Sequence, residues 1–163
     1  MKNKQLVLGL VIFLLGSFVA AETVLLYTDS PAEGEGSAEV QGYFEDGVME
    51  VFFDSGHIIF NGDYRSAEEE REATELFGDR PSFRLAKRSG AGLVLEVRFT
   101  YSDDQEEKTP RSVRYRFIDV QKEKDISSGS IDIAQVPRED TSKDTVIVQR
   151  MGALVGRRVL KDY

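Results

Sequence analysis

From Leu93 to Tyr101 apolar and polar residues alternate almost without exception. Leu93, Leu95, Val97, Phe99 and Tyr101 fall on one side, and Val94, Glu96, Arg98 and Thr100 on the other. This period of two, apolar against mostly polar, predicts a half-buried strand. Gly90 and Gly92 divide it from a helical pattern upstream, and glycine is suited to ending a helix. The other elements are expected to arrange themselves around this strand.

Nearer the amino end, Val24-Leu25-Leu26-Tyr27 is apolar on both sides and stops at Asp29-Ser30-Pro31. That predicts a buried strand, followed by an acidic loop, Glu33-Gly34-Glu35-Gly36. Val40, Tyr43, Phe44, Val48, Val51 and Phe52 then recur at helical spacing. They predict a helix over 37–55, with Ser37 as its N-cap and Gly56 just past its end. Gly47 interrupts the apolar stripe. In a helix it costs roughly 1 kcal/mol against alanine, which points to another backbone in close approach. His57-Ile58-Ile59-Phe60 predicts a second buried strand. Strand, helix and strand of these lengths predict a right-handed parallel βαβ unit.

Asn61-Gly62-Asp63 reads as a turn, and Ser66 with Glu69 as the capping box of a charged helix that ends at Gly78. Pro81 suits the first turn of a short helix carrying Phe83, Leu85 and Ala86. After the 93–101 strand comes a polar hairpin loop over 103–110. Val113, Tyr115 and Phe117 then alternate with Ser112, Arg114 and Arg116. A charged turn leads to a third strand through Ile131 and Ile133, with Gly129 as a bulge or weak point. Thr141 or Ser142 is expected to cap a final helix with Ile147, Met151, Leu154 and Val155 on its apolar stripe. Arg157, Arg158 and Lys161 sit near its carboxyl end, where cations are favoured. The order β-α-β-α-α-β-β-β-α predicts one α+β domain, a mixed sheet with helices packed on one face.

The amino terminus changes the picture of where this domain works. Lys2 and Lys4 precede an apolar run from Leu6 to Leu15, and Val19-Ala20-Ala21 offers the small residues that a signal peptidase reads. Residues 1–21 are expected to be a secretory signal cut after Ala21, leaving a domain over 22–163. The run is about half the ~20 residues that a spanning helix needs, so no membrane span is expected after cleavage. Loss of two lysines takes the net charge from −8 to about −10. Such a balance argues against nucleic acid and against anionic lipid headgroups, since both need a basic footprint. The chain has no cysteine. Its stability must then come from packing, and a bacterial periplasm suits this composition.

Two motifs carry a family resemblance. Ala86-Lys87-Arg88-Ser89-Gly90-Ala91-Gly92-Leu93-Val94-Leu95 resembles the junction of helix, Gly-Ala-Asp and apolar strand in one envelope superfamily. That superfamily unites curli secretion channels, penicillin-binding-protein activators and TolB amino-terminal-like domains. Phe117-Ile118-Asp119-Val120, with its charged turn and Ser127-Ser128-Gly129, resembles the Asp-Val-Lys-Thr-Gly-Glu hairpin of the same group. Many members are lipoproteins, whereas this chain lacks the cysteine. The channel members carry membrane-inserting segments, and no loop here is long enough to supply them. The resemblance implies an envelope domain that binds partners and is not a pore.

Candidate chemistry is sparse. His57, the only histidine, lies near Asp54 and could act as a general base. A single histidine without cysteine cannot build a typical zinc site, so no metal or other cofactor is expected. A backbone hydrogen bond at the start of a strand accounts for it more simply. Asp29 and Ser30 follow the first parallel strand, where α/β units often bind ligands. Gly34 and Gly36 lead into a helix amino terminus that could hold an anion, although Glu33 and Glu35 would repel one and the spacing is not that of a P-loop. The carboxylates Glu68-Glu69-Glu70, Glu72 and Glu75, like those of 103–107, read as solvated faces. Strand parity gathers Arg98, Arg114 and Arg116 on the face away from the core. They could meet an acidic partner or pair across strands with Glu96.

No catalytic residues converge. The leading expectation is a non-enzymatic periplasmic interaction domain that serves an envelope assembly or the cell-wall synthesis machinery. The alternatives are a small-ligand or ion-binding domain using Asp29, Ser30, Gly34 and Gly36, and a hydrolase pairing His57 with Asp54 or Asp29.

Overall fold

The computed structural model describes residues 22–29, 37–62, 80–102, 109–137 and 143–163. The elements are β1 (Thr23–Asp29), α1 (Ser37–Asp54), β2 (Ile58–Asn61), α2 (Pro81–Ser89), β3 (Leu93–Thr100), β4 (Ser112–Asp119), β5 (Lys124–Asp132), a 3₁₀ turn (Ile133–Gln135) and α3 (Asp144–Asp162). The strands form one mixed sheet in the order β2-β1-β3-β4-β5. β1 runs parallel to β2 and to β3, while β3–β4 and β4–β5 are antiparallel. The expected α+β architecture and its mixed sheet are therefore present.

The alternation in β3 translates directly into two faces. Leu93, Leu95, Val97 and Phe99 join Val24, Leu26, Ile59, Val113, Phe117 and Ile131 in the main core. Above them lie Phe44, Val48 and Phe52 of α1 and Ile147, Val148, Met151, Val155 and Val159 of α3. Phe44, Phe52, Phe99 and Phe117 are fully buried, and burial of one such side chain stabilises by roughly 1.5–3 kcal/mol.

The expectation of helices on one face holds for α1 and α3, and α2 refines it. Phe83, Leu85 and Ala86 pack on the opposite side against Leu25, Val94 and Ile118. The strands β1, β3 and β4 each carry apolar residues on that side near one end, and α2 supplies their cover. The αL glycine Gly90 (φ 75°) closes α2, its N–H donating to Ala86.

Gly47 answers the question its sequence position raised. A methyl group placed on it would overlap the carbonyl oxygen of Gln149 in α3, and one on Gly152 would overlap that of Phe44 in α1. The two helices thus touch backbone to backbone at a pair of reciprocal glycines.

Three local expectations are corrected. The ladder irregularity lies between Phe117 and Ile118, where β5 carries an extra residue, Ile126, and not at Gly129. Gly129 pairs in register with Tyr115, and a Cβ there would come 2.7 Å from the Tyr115 hydroxyl. Ile133 opens the 3₁₀ turn because Asp132 stops the strand: its carboxylate accepts from Ala134 N–H at 2.8 Å, and Gln135 Oε1 accepts from Asp132 N–H at 3.2 Å. Lys143, not Thr141 or Ser142, holds the N-cap position of α3 and makes no side-chain cap. Thr141, Ser142, Ser30 and the charged helix expected over 66–78 lie outside the described residues.

Gly47→Ala should lower stability by about 1–3 kcal/mol through overpacking, even though alanine is intrinsically the better helix former by roughly 1 kcal/mol. Urea unfolding checks this, and a variant more stable than the parent would refute the backbone contact.

Candidate functional site

The half of the sheet that α2 leaves open carries most of the charged side chains of β3 and β4. Glu96 and Arg98 alternate with the core residues of β3, and Arg114 and Arg116 with those of β4. Antiparallel register sets Glu96 opposite Arg116 and Arg98 opposite Arg114. With Tyr27, Asp29, Arg80 and Ser82 they line an open groove of about 500 Å³ between the outer sheet face and the start of α2.

Ion pairs run across the strands. Asp29 at the end of β1 accepts from Arg98, its registered neighbour, through Nε at 3.0 Å and through Nη2. Glu96 takes the Ser82 hydroxyl, with Arg80 at 3.6 Å and Arg116 at 3.5 Å. Arg116 also forks onto Asp125 of β5, with Nη2 contacts of 2.9 and 3.1 Å. That hydrogen bond to Asp125 pushes the Arg116 guanidinium above its ordinary pKa. Arg80 is further held by the Phe83 ring, 4.0 Å from its centroid.

Arg114 stands apart. It faces Arg98 across one ladder step and Ser130 across the other, and no ion pair engages it among the described residues. Like charges directly opposite in a sheet are destabilising. The surrounding exposed pairs are each worth roughly 0–1 kcal/mol, so they do not argue that the cluster exists for stability. Chemically, a guanidinium offers a planar fork for a carboxylate or phosphate, and one placed against Arg98 would relieve the repulsion.

A second polar cluster lies at the carboxyl ends of β1 and β2, where the sequence suggested a ligand. Glu45 of α1 is 7 % exposed. It accepts from Thr28 Oγ1 at 3.0 Å, Gln41 Nε2 at 2.7 Å and Asn61 Nδ2 at 2.7 Å. The carboxylate thus ties α1 to both parallel strands beside a cavity of about 380 Å³. Sequence reading missed Glu45; the only cue was an acid next to Phe44 on the apolar side of the helix.

The structure brings Asp29, Arg98, Arg114 and Arg116 into one groove, so an expected ligand residue joins the expected interaction surface. Ser30, Gly34 and Gly36 fall outside the described residues. His57 precedes β2, at the end of the parallel pair opposite Asp29, and the two cannot form a catalytic couple. Its ring lies between those of Phe52 and Tyr163, at 5.9 and 5.8 Å. Arg158, expected only to favour the end of α3, reaches the Ser130 carbonyl at 3.1 Å. Among the described residues no group of three or more His, Cys, Asp or Glu is placed to hold a metal ion.

No family model matches the chain, and no curated protein matches its sequence. Solved structures do. A variant of the PelC dodecamer from Paraburkholderia phytofirmans is 10 % identical, with 85 % of this chain and 87 % of that chain aligned and a TM-score of 0.50. A lipoprotein from Neisseria meningitidis is 14 % identical over 86 % of this chain and 99 % of that chain, with a TM-score of 0.45. The LpoB carboxyl-terminal domain from Salmonella enterica is 14 % identical over 74 % of this chain and 89 % of that chain, with a TM-score of 0.40. The PelC likeness is one of fold.

Replacing Arg114 with glutamate would turn the like-charge pair into a cross-strand ion pair. Arg114→Glu should leave the fold as stable as the parent or raise stability by roughly 0.2–1 kcal/mol, read as a shift in the urea midpoint. A loss of more than that would mean Arg114 is a structural residue. Glu45→Leu, by contrast, leaves three donors without their carboxylate and should cost about 1.5–3 kcal/mol in the same assay.

Proposed function

We propose that this protein is a non-enzymatic periplasmic interaction domain, exported by the signal at 1–21, whose outer sheet face docks an acidic segment of a cell-envelope protein. The observation that carries the reading is Arg114, an exposed guanidinium set against Arg98 with no counterion among the described residues. The groove around it is open and lined by charges of both signs, which suits a segment of a protein chain. A carboxylate of the partner seated between Arg98 and Arg114 removes the repulsion and adds charge-assisted hydrogen bonds. Arg116, already shared between Glu96 and Asp125, borders the docking surface and positions Glu96. The fold likeness to a protein known as a dodecamer, together with the motif resemblance to envelope activators, favours assembly over catalysis. The partner is thus a component of an envelope assembly or of the wall-synthesis machinery.

Photo-crosslinking in the native envelope tests this. A photoreactive residue at Ser130, which faces Arg114 across the ladder, should capture one envelope protein through an acidic peptide. Capture should disappear in Arg114→Glu and persist in Lys161→Glu, a charge reversal on α3. Capture that ignores Arg114→Glu, or none at all, would sink the proposal.

A further inference from the structure

Glu45 is buried with hydrogen bonds but without an opposite charge. Its Oε1 accepts from Thr28 Oγ1 and Gln41 Nε2, and its Oε2 from Asn61 Nδ2. All three donors are neutral, and no ion pair engages Glu45 among the described residues. Elsewhere the carboxylates of Asp29, Glu96, Asp119 and Asp125 each meet an arginine or a lysine, although all four lie further out in solvent. An ionised group is costly to remove from water unless an opposite charge comes with it.

The same bonds decide what the surroundings of Glu45 can recognise. An ionised carboxylate only accepts, so Gln41 and Asn61 turn their amide nitrogens to it and their carbonyl oxygens elsewhere. Thr28 spends its one hydroxyl hydrogen on Glu45 and keeps only lone pairs. These four residues line the cavity of about 380 Å³, together with Leu26, Tyr27 and Gly62. Their free capacity is thus weighted towards acceptors. The cavity sits at the carboxyl ends of β1 and β2, where α/β units bind ligands, and its volume is at the small end of the range for such sites.

We propose that this cavity binds a small molecule through a primary ammonium group, with Glu45 as its counterion. An ammonium brings one positive charge and three donors with no acceptor. That matches one carboxylate set among neutral oxygens. A divalent metal ion matches less well: among the described residues no group of three or more His, Cys, Asp or Glu is placed to hold one, and a single carboxylate would leave its charge half balanced. A guanidinium fork needs two free acceptor positions on one carboxylate. Glu45 has about four such positions in all, and three are taken. The site stands apart from the arginine groove, on the other face of the sheet. Thr28 turns towards α1, while its neighbour Asp29 lines the groove.

Ethanolamine is the probe. Titrated into the full chain at neutral pH, it should move the NMR signals of the Gln41 and Asn61 side-chain amides to saturation and raise the thermal midpoint. N-acetylethanolamine, which keeps the hydroxyl and loses the charge, should do neither. Glu45→Gln keeps the size and removes the charge, and should weaken binding by about tenfold or more. Thr28→Val should weaken it severalfold, and it decides the matter if Glu45→Gln does not fold. No saturation, an equal response to N-acetylethanolamine, or binding unchanged in the folded variants would overturn the proposal. So would shifts spread over the exposed carboxylates of the protein, which would mark pairing without a site.

Discussion

The close contact of α1 and α3 sets the geometry of the molecule. Gly47 and Gly152 let each helix rest its backbone on a carbonyl of the other. Two long helices then fit side by side over a single face of a five-stranded sheet. Gly156 continues the seam, since a Cβ there would lie 3.0 Å from Val51 Cβ. Without these approaches the helices would stand further apart, and Phe44, Phe52 and Met151 could not all reach the sheet. The energetic reason is the density of the core: side chains at 0–2 % exposure have no room for an extra methyl group.

Placing both long helices on one side decides what the other side can do. Among the described residues α2 is the helix on that face, over the apolar patch of Leu25, Val94 and Ile118. Beyond it Glu96, Arg98, Arg114 and Arg116 remain in solvent and sort themselves by register. Three of the four groups find opposite charges, and Arg114 is left facing Arg98. The fold thus presents a charge that its own described residues do not neutralise, at the mouth of a groove. That imbalance links packing on one face to recognition on the other.

The strands and long helices were legible because their periods are clean. β3 was expected over 93–101 and spans Leu93–Thr100, and a glycine in the apolar stripe of α1 announced a close neighbour. The side on which α2 packs was not legible from α2 itself. Phe83, Leu85 and Ala86 give it an apolar side without saying which face of the sheet receives it; the cue lay in β1, apolar on both sides. Parity put Arg114 and Arg116 on one face, but the register that opposes Arg98 to Arg114 depends on pairing, which sequence does not print. Glu45 was invisible for a similar reason: its partners Thr28 and Asn61 come from two strands brought together only by the parallel pairing.

The central claim is that the space between Arg98 and Arg114 is an acceptor for a partner's acidic group. The most direct measurement is a titration of the full chain with an oligoglutamate peptide, followed by NMR of the arginine side chains and the backbone amides. The account predicts saturable shifts confined to Arg98, Arg114 and their neighbours on β3 and β4, weakening as salt is raised. Shifts spread evenly over every exposed cation, or centred elsewhere on the surface, would contradict it.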